Sequence, residues 1–165
     1  MTRDLDAATE LARARAAADH LLRFRPRSEQ ELRLRLGRKG FSEPAIDAIV
    51  QELARKDLLN DRKFAQYYAT NRLLSRPSGL RAVRDELRRK GLASAVVEQA
   101  VAEASAGYDE TVAARELAQR RLGQWRGLPT AVVQRRLAGV LQRRGFSGEI
   151  VYQVVREVTG ARNRE

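Results

Sequence analysis

Apolar residues recur along the chain at spacings of three and four positions, which is the period of one face of an α-helix. Strand signals are scarce, because aromatic residues are few and no Asn-Gly or Asp-Gly pair marks a tight hairpin. The pattern therefore predicts an all-α protein. Nine helices are expected, at residues 5–24, 29–39, 43–56, 62–75, 79–90, 95–105, 110–124, 130–143 and 148–159.

Start and stop signals support these boundaries. Ser28 and Glu31 form a capping-box pattern ahead of the second helix, and Asp61 is the expected N-cap of the fourth. Further N-cap candidates are Ser78, Ser94, Asp109 and Ser147. A left-handed glycine is expected just after five of the helices, at Gly40, Gly91, Gly107, Gly145 and Gly160.

The chain also repeats itself around a basic pair that is followed by glycine. The three glycines, Gly40, Gly91 and Gly145, lie 51 and 54 residues apart, and five positions around them are apolar in all three copies. The pattern predicts three tandem three-helix repeats that form an elongated, curved array. We expect the repeats at residues 1–60, 61–108 and 109–160, with a frayed tail at 161–165.

The charge is strongly positive, with 32 Lys and Arg against 21 Asp and Glu and a net charge of +11. The excess lies in the second and third repeats. Residues 117–148 contain seven arginines and no carboxylate. Because unneutralised charge repels itself, this stretch indicates a partner that is a polyanion or an acidic protein surface.

Two basic surfaces are candidates for that contact. On the fifth helix, Arg81, Arg84 and Arg88 share one side, next to Arg89 and Lys90. The candidates in the third repeat are Arg120, Arg121, Arg135, Arg136, Arg143 and Arg144. The functional interpretation is a contact with DNA phosphates or an acidic groove. The alternative is a solvated helix face with local ion pairs.

Other residue types argue against catalysis. The chain has no cysteine and one histidine, His20, so thiol chemistry, Cys-based zinc sites and multi-His catalysis are excluded. No Gly-rich phosphate loop occurs. Phe64 and Tyr68 are expected in the core. Tyr67 and Trp125 are the aromatic candidates for base stacking, although packing is the favoured interpretation of each. We expect no catalytic, cofactor-binding or metal-binding residues, and therefore no enzyme.

The compartment and the oligomeric state are predicted from features that the sequence lacks. No apolar run reaches the roughly 18 residues that span a bilayer, and the first residues lack the apolar segment of a secretory signal. The sequence predicts a cytoplasmic protein that has no membrane contact. A monomer is expected, because no large apolar helix is left without a partner.

A string of specific motifs runs across the first two repeats. It comprises residues 27–32 (RSEQEL), 36–41 (LGRKGF), 58–61 (LLND), Phe64, Ala65, Tyr68, Arg72, Gly79, 86–87 (EL) and 89–91 (RKG). This string resembles the RecX family of regulatory proteins. The resemblance covers nearly the whole chain and is strongest over residues 20–100.

The resemblance implies three tandem three-helix repeats and a modulator of the RecA recombinase in DNA repair, homologous recombination and the SOS response. Family members bind RecA–single-stranded-DNA filaments in the helical groove and block filament extension or promote disassembly. RecA ATPase, strand-exchange and coprotease activities then fall. The partner implied is the RecA nucleoprotein filament, with single-stranded DNA as a further contact and no cofactor.

Two features depart from the family pattern. Asp57 stands where a glycine is expected, although aspartate tolerates left-handed backbone better than most residues. The third repeat carries three extra residues before its glycine, near Trp125. Residue roles are therefore not carried over beyond about residue 110.

Two other functions remain open. One is a direct nucleic-acid-binding helical module that competes for single-stranded DNA, since basic three-helix units also describe helix-turn-helix domains. The other is an array that binds a protein peptide, with the charge serving solubility alone.

Overall fold

The computed structural model describes the backbone of residues 2–162 and the side chains of residues 6–160. Over residues 2–162 the chain forms nine α-helices and no strand, which confirms the all-α prediction. The helices are α1 (Thr2–Phe24), α2 (Glu29–Arg38), α3 (Glu43–Arg55), α4 (Asp61–Ser75), α5 (Leu80–Arg89), α6 (Ser94–Ala104), α7 (Glu110–Leu122), α8 (Thr130–Arg143) and α9 (Gly148–Arg162).

The helix boundaries differ most from expectation near the ends of the chain. α1 begins three residues before the expected start, and α9 continues through Gly160 to Arg162. The prediction that Gly160 ends a helix is therefore wrong. A glycine inside a helix costs about 1 kcal/mol, and burial of the preceding turn offsets that cost. In the expected tail at 161–165 the first two residues are helical, and residues 163–165 lie outside the described part of the chain.

Three expected N-caps are displaced by one residue. Asn60, rather than Asp61, caps α4, because its side-chain oxygen accepts two first-turn amides at 3.0 and 3.1 Å. Ser78 precedes the true cap of α5, which is Gly79. Ser94 is already the first residue of α6. The capping box of α2 and the Asp109 cap of α7 are as predicted.

Each repeat encloses its own hydrophobic core. The first helix of a repeat packs against the third, and the middle helix closes the unit. At the five apolar positions shared by the three copies, every residue is buried except Ala104, which is partly exposed. The periodic positions therefore form the three cores, and the prediction of three three-helix repeats is confirmed.

The turn after each middle helix uses a left-handed residue. Gly40, Gly91 and Gly145 have φ angles of 85°, 81° and 81°, a region in which a side chain would be strained. Asp57, which departs from the family pattern, has a φ of 55°. Its carboxylate accepts a 2.8 Å hydrogen bond from the Asn60 side chain. Asp57 thus adopts the left-handed conformation that was expected of a glycine at this position.

The middle helices α2, α5 and α8 follow one another head to tail across the boundaries between repeats. At the first junction, Ser28 Oγ at the start of α2 donates to the Lys90 carbonyl oxygen at the end of α5, at 2.7 Å. At the second, the Gly79 amide at the start of α5 donates to the Arg144 carbonyl oxygen at the end of α8, at 2.8 Å. Carbonyl groups in the last turn of a helix lack partners within it, so each junction satisfies one of them.

The second junction brings backbone against backbone. A Cβ atom added to Gly79 would lie 2.0 Å from the Gly145 carbonyl oxygen, and one added to Gly145 would lie 2.4 Å from the Cβ of Ala82. At the first junction, a Cβ on Gly91 would instead meet the flexible side chain of Gln30. The second junction therefore has less room for adjustment than the first.

Candidate functional site

The arginines that share one side of α5 are partly neutralised within their own repeat. Arg84 Nε lies 2.8 Å from Glu98 Oε2, and a terminal nitrogen of Arg88 lies 2.9 Å from Glu98 Oε1. Arg88 also lies 3.6 Å from Asp85. Among the described side chains, Arg81 makes no ion pair. This arrangement favours the solvated-face alternative for Arg84 and Arg88.

Lys90 takes part in the first junction. Its Nζ lies 2.8 Å from Glu31 Oε1 and 4.9 Å from the centre of the Tyr68 ring. Burial opposes ionisation of Glu31, but hydrogen bonds from Arg25 and Lys90 outweigh it and lower the Glu31 pKa to about 2. Lys90 thus joins α5 to α2. The neighbouring Arg89 is exposed and forms no ion pair within the described part of the chain.

A largely buried polar network fixes the link between α4 and α5. Arg72, only 9% exposed, binds the Glu86 carboxylate with two nitrogens at 2.9 and 3.0 Å and also donates to Ser78 Oγ. Tyr68 donates to Glu86 at 2.8 Å, and Tyr108 donates to the Ser78 carbonyl oxygen at 2.8 Å. Burial opposes ionisation of Glu86, but the bonds from Arg72 and Tyr68 prevail and lower its pKa.

Arg144 at the second junction lies next to this network and within electrostatic reach of three other arginines that form no ion pair. Arg144 donates to the Pro77 carbonyl oxygen at 3.2 Å, which places its guanidinium beside the link between α4 and α5. Burial first, and then repulsion from neighbouring arginines, lowers the Arg144 pKa. Those neighbours include Arg76 and the last-turn residues Arg120 and Arg121 of α7. We call Arg76, Arg120, Arg121 and Arg144 the junction cluster.

The junction cluster makes no direct ion pair, although Arg76 acts electrostatically on the nearby Glu86 carboxylate. None of its four members forms an ion pair among the described side chains. Arg120 donates to the Glu116 backbone carbonyl at 3.3 Å, and Arg121 donates to Gln124 Oε1 at 3.0 Å. Like charges that lack direct ion pairs produce a positive potential, which attracts anions. Sequence reasoning selected three of the four and missed Arg76, whose only signal is its place before the Pro-Ser-Gly link.

The remaining candidates of the third repeat take separate positions along α8. The Arg136 guanidinium lies 5.8 Å from the centre of the Trp125 ring. Arg143 folds back along its own helix toward Gly139. Arg135 lines a groove between α8 and α9. All three arginines are exposed, so each is accessible to a partner.

Residues at the start of α4 serve packing. Phe64 is buried, with its ring centre 5.9 Å from that of Tyr68, which confirms their core assignment. Tyr67 is 56% exposed. Asp61 accepts the Glu29 amide at 2.8 Å and so holds the start of α4 against the start of α2. Burial raises the Asp61 pKa.

The described residues contain no group of three or more His, Cys, Asp or Glu side chains that could hold a metal ion. His20 makes an edge-on contact with Phe24, with ring centres 4.8 Å apart. Of the helices in residues 2–162, none has the length and apolar character needed to cross a bilayer.

Three serial three-helix units, each with its own hydrophobic core, define a helical-repeat protein. Family models for the first, second and third three-helix domains of RecX match residues 14–53, 60–101 and 108–155, in that order. The chain belongs to the RecX family of regulatory proteins.

Individual relatives agree with the family match. The regulatory protein RecX of Thermobifida fusca (strain YX) is 37% identical over 146 residues, which cover 88% of this chain and 78% of the relative. The regulatory protein RecX of Amycolatopsis mediterranei (strain U-32) is 36% identical over 137 residues, which cover 83% of this chain and 78% of the relative.

Two crystal structures share the fold. A regulatory protein RecX superposes with a TM-score of 0.82 at 20% identity over 94% of this chain and 77% of its own. RecX from Lactobacillus salivarius superposes with a TM-score of 0.76 at 21% identity over 91% of this chain and 97% of its own. The helical arrangement is thus retained at low identity.

Proposed function

We propose that this chain regulates the RecA recombinase by binding RecA–single-stranded-DNA filaments in their helical groove. Binding there inhibits filament extension and lowers RecA ATPase, strand-exchange and coprotease activities, which links the protein to DNA repair and the SOS response. Membership of the RecX family supports the proposal, as do relatives that are named regulatory proteins. The proposal implies a cytoplasmic protein that has no catalytic activity of its own.

The head-to-tail order of α2, α5 and α8 supports a bridging mechanism. Three units joined by backbone contacts at Lys90 and Arg144 present several contact points at fixed separations. A filament is itself a repeat of identical subunits, so a serial array can contact neighbouring subunits at once. Such a bridge opposes both the addition of subunits and the rearrangement that accompanies ATP hydrolysis.

The observation that carries the proposed contact is the junction cluster. Its four arginines lack carboxylate partners among the described side chains, whereas Arg84 and Arg88 share Glu98. Arginine binds phosphate and carboxylate groups in a two-nitrogen geometry. The cluster therefore suits an acidic RecA surface or the DNA backbone exposed in the groove.

The test is to titrate the protein into preformed RecA–single-stranded-DNA filaments and to follow ATP hydrolysis. We expect loss of hydrolysis at protein concentrations well below that of RecA, since each bound molecule blocks a filament end or several subunits. No effect at any ratio would overturn the proposal.

A matched pair of variants locates the contact. Arg120→Glu with Arg121→Glu reverses two charges in the last turn of α7, and Arg35→Glu with Arg38→Glu reverses two in the last turn of α2. Both pairs sit at equivalent helix ends, so their effects on helix stability are similar. We expect the first variant to need roughly tenfold more protein for half-inhibition, as loss of a central charged contact implies. Equal potency of the two variants would exclude the junction cluster as the contact.

The alternative function is direct binding of single-stranded DNA, and the same uncompensated arginines favour it. A DNA competitor inhibits RecA only when there is enough protein to coat the DNA. Its affinity for naked DNA would also fall steeply with salt, because phosphate contacts release counterions. That combination of results would replace the RecA proposal with this alternative.

A further inference from the structure

The third repeat has an open groove of about 540 Å³ between α8 and α9. Its floor includes Val151 and Val155, which are nearly buried, and Ala138 lines one wall. Tyr152 stands at the edge with 65% of its surface exposed. An exposed aromatic residue beside an apolar floor is a common feature of protein-binding sites.

The first two repeats close the corresponding place with an ion pair. Seven residues before and seven after the turn glycine, repeat one has Arg33 and Asp47, joined at 2.5 Å. Repeat two has Arg84 and Glu98 there, joined at 2.8 Å. Repeat three has Ala138 and Tyr152 instead. The charged pair between the middle and third helices is thus replaced by a small residue and an exposed ring.

The rim of the groove is basic. Arg135 and Arg156 line it, none of the lining residues is acidic, and neither arginine forms an ion pair among the described side chains. The Arg156 guanidinium lies 5.5 Å from the centre of the Tyr152 ring. The nearby carboxylate of Glu157 is directed toward α7, since it binds Arg115 of that helix at 2.6 Å.

From this geometry we propose that the groove between α8 and α9 binds an acidic protein segment that carries a branched apolar side chain. The apolar side chain lies on the floor beside Ala138, and flanking carboxylates bind Arg135 and Arg156. A peptide fits better than a nucleic acid, because the floor is formed by Val and Ala, and the Tyr152 ring at the edge is already covered on one face by Arg156. The inference goes beyond the proposed function and does not depend on RecA.

The test uses a variant that restores the missing ion pair. Ala138→Arg with Tyr152→Glu places in repeat three the residue types found in repeat two, and so closes the groove. A displayed library of short random peptides is selected on the wild-type chain and counter-selected on this variant. The enriched peptides are synthesised, and their affinities for both chains are measured by fluorescence anisotropy.

We expect the enriched peptides to combine Asp or Glu with Leu, Ile or Val. Their affinity should fall about tenfold or more in the closed variant, and similarly in Arg135→Glu with Arg156→Glu, as loss of central contacts implies. Enrichment of basic peptides, or of none that distinguish the two chains, would overturn the proposal. So would an oligo-dT strand that binds the wild type and is released by closure, because the groove would then be a nucleic-acid site. Inhibition of RecA by wild type is measured separately, so a failure here is distinct from failure of the proposed function.

Discussion

The hydroxyl of Ser28 donates a 2.7 Å hydrogen bond to the carbonyl oxygen of Lys90, which lies 62 residues further along the chain. The same hydroxyl accepts the Glu31 amide at 3.1 Å and so caps α2. One buried side chain thus begins a helix in one repeat and satisfies the end of a helix in the next. Local capping and contact between repeats are coupled through it.

Replacing this hydroxyl tests that coupling. Ser28→Ala removes the cap and leaves the Lys90 carbonyl oxygen without this bond, so we expect a loss of about 2 kcal/mol in the free energy of unfolding. The measurement is urea unfolding followed by helical circular dichroism. Ser94→Ala is the control, because the Ser94 side chain is exposed and makes no hydrogen bond among the described residues, and it should change stability by less than about 0.5 kcal/mol. Equal effects of the two changes would contradict the dual role of Ser28.

The second junction predicts a steric effect at Gly79. Gly79→Ala would place a methyl group 2.0 Å from the Gly145 carbonyl oxygen, although the φ of −74° suits alanine. The junction must therefore open, and we expect a loss of about 1–3 kcal/mol together with weaker inhibition of RecA. Gly148→Ala is the control, since nothing lies within 4 Å of its Cβ position. A Gly79→Ala variant as stable as the wild type would show that the junction is not closely packed.

The largely buried ion pair of Arg72 and Glu86 predicts a large loss in the free energy of unfolding when the charge of one partner is removed. Glu86→Gln leaves the Arg72 charge largely buried without its counterion, and we expect a loss of about 3 kcal/mol. Glu98→Gln breaks the exposed pairs with Arg84 and Arg88 and should cost less than about 1 kcal/mol. Chemical unfolding of both variants decides the matter. Similar losses of stability in the two variants would mean that burial of Arg72 does not determine the loss.

The lowered pKa of Glu31 predicts a dependence of stability on pH. Because the folded-state pKa is about 2, below the ordinary value of 4.5, ionised Glu31 stabilises the fold above pH 4.5. That contribution is lost progressively as the pH falls from about 4.5 to 2. We expect Glu31→Gln to lose less thermal stability than the wild type over this window. The measurement is Tm against pH, with the exposed Glu116→Gln as control, and parallel curves for all three chains would contradict the prediction.

The repeat architecture could be predicted because its signal is periodic. Leu32, Val83 and Leu137 occupy one column, and the structure buries all three. Such positions depend on helical geometry within one repeat, so spacing along the chain is enough to identify them. The turn glycines could be predicted for the same reason, because a left-handed glycine after a helix is a local feature, as Gly40 and Gly91 show.

The contacts between repeats could not be predicted in this way. The acceptors at the junctions are the backbone carbonyl oxygens of Lys90 and Arg144, and a side-chain pattern carries no information about them. Arg144 resembles a surface residue in the sequence, whereas the approach of another repeat half-buries it. Arg76 lay outside the candidates because its neighbour Arg144 comes from a different repeat. The exposed Tyr152 was also missed, although comparing the three copies column by column would have revealed it.

The head-to-tail order of α2, α5 and α8 also makes the molecule electrically polar along its length. Each helix carries a dipole with its positive pole at the N-terminus, and at both junctions a positive pole meets a negative one. The two free poles are then the negative end of α2, beside Arg38 and Lys39, and the positive start of α8, whose first turn contains no acidic residue. The helix dipoles and the arginine excess therefore point in the same direction. A negatively charged partner should be attracted to the third repeat first, before any single contact forms.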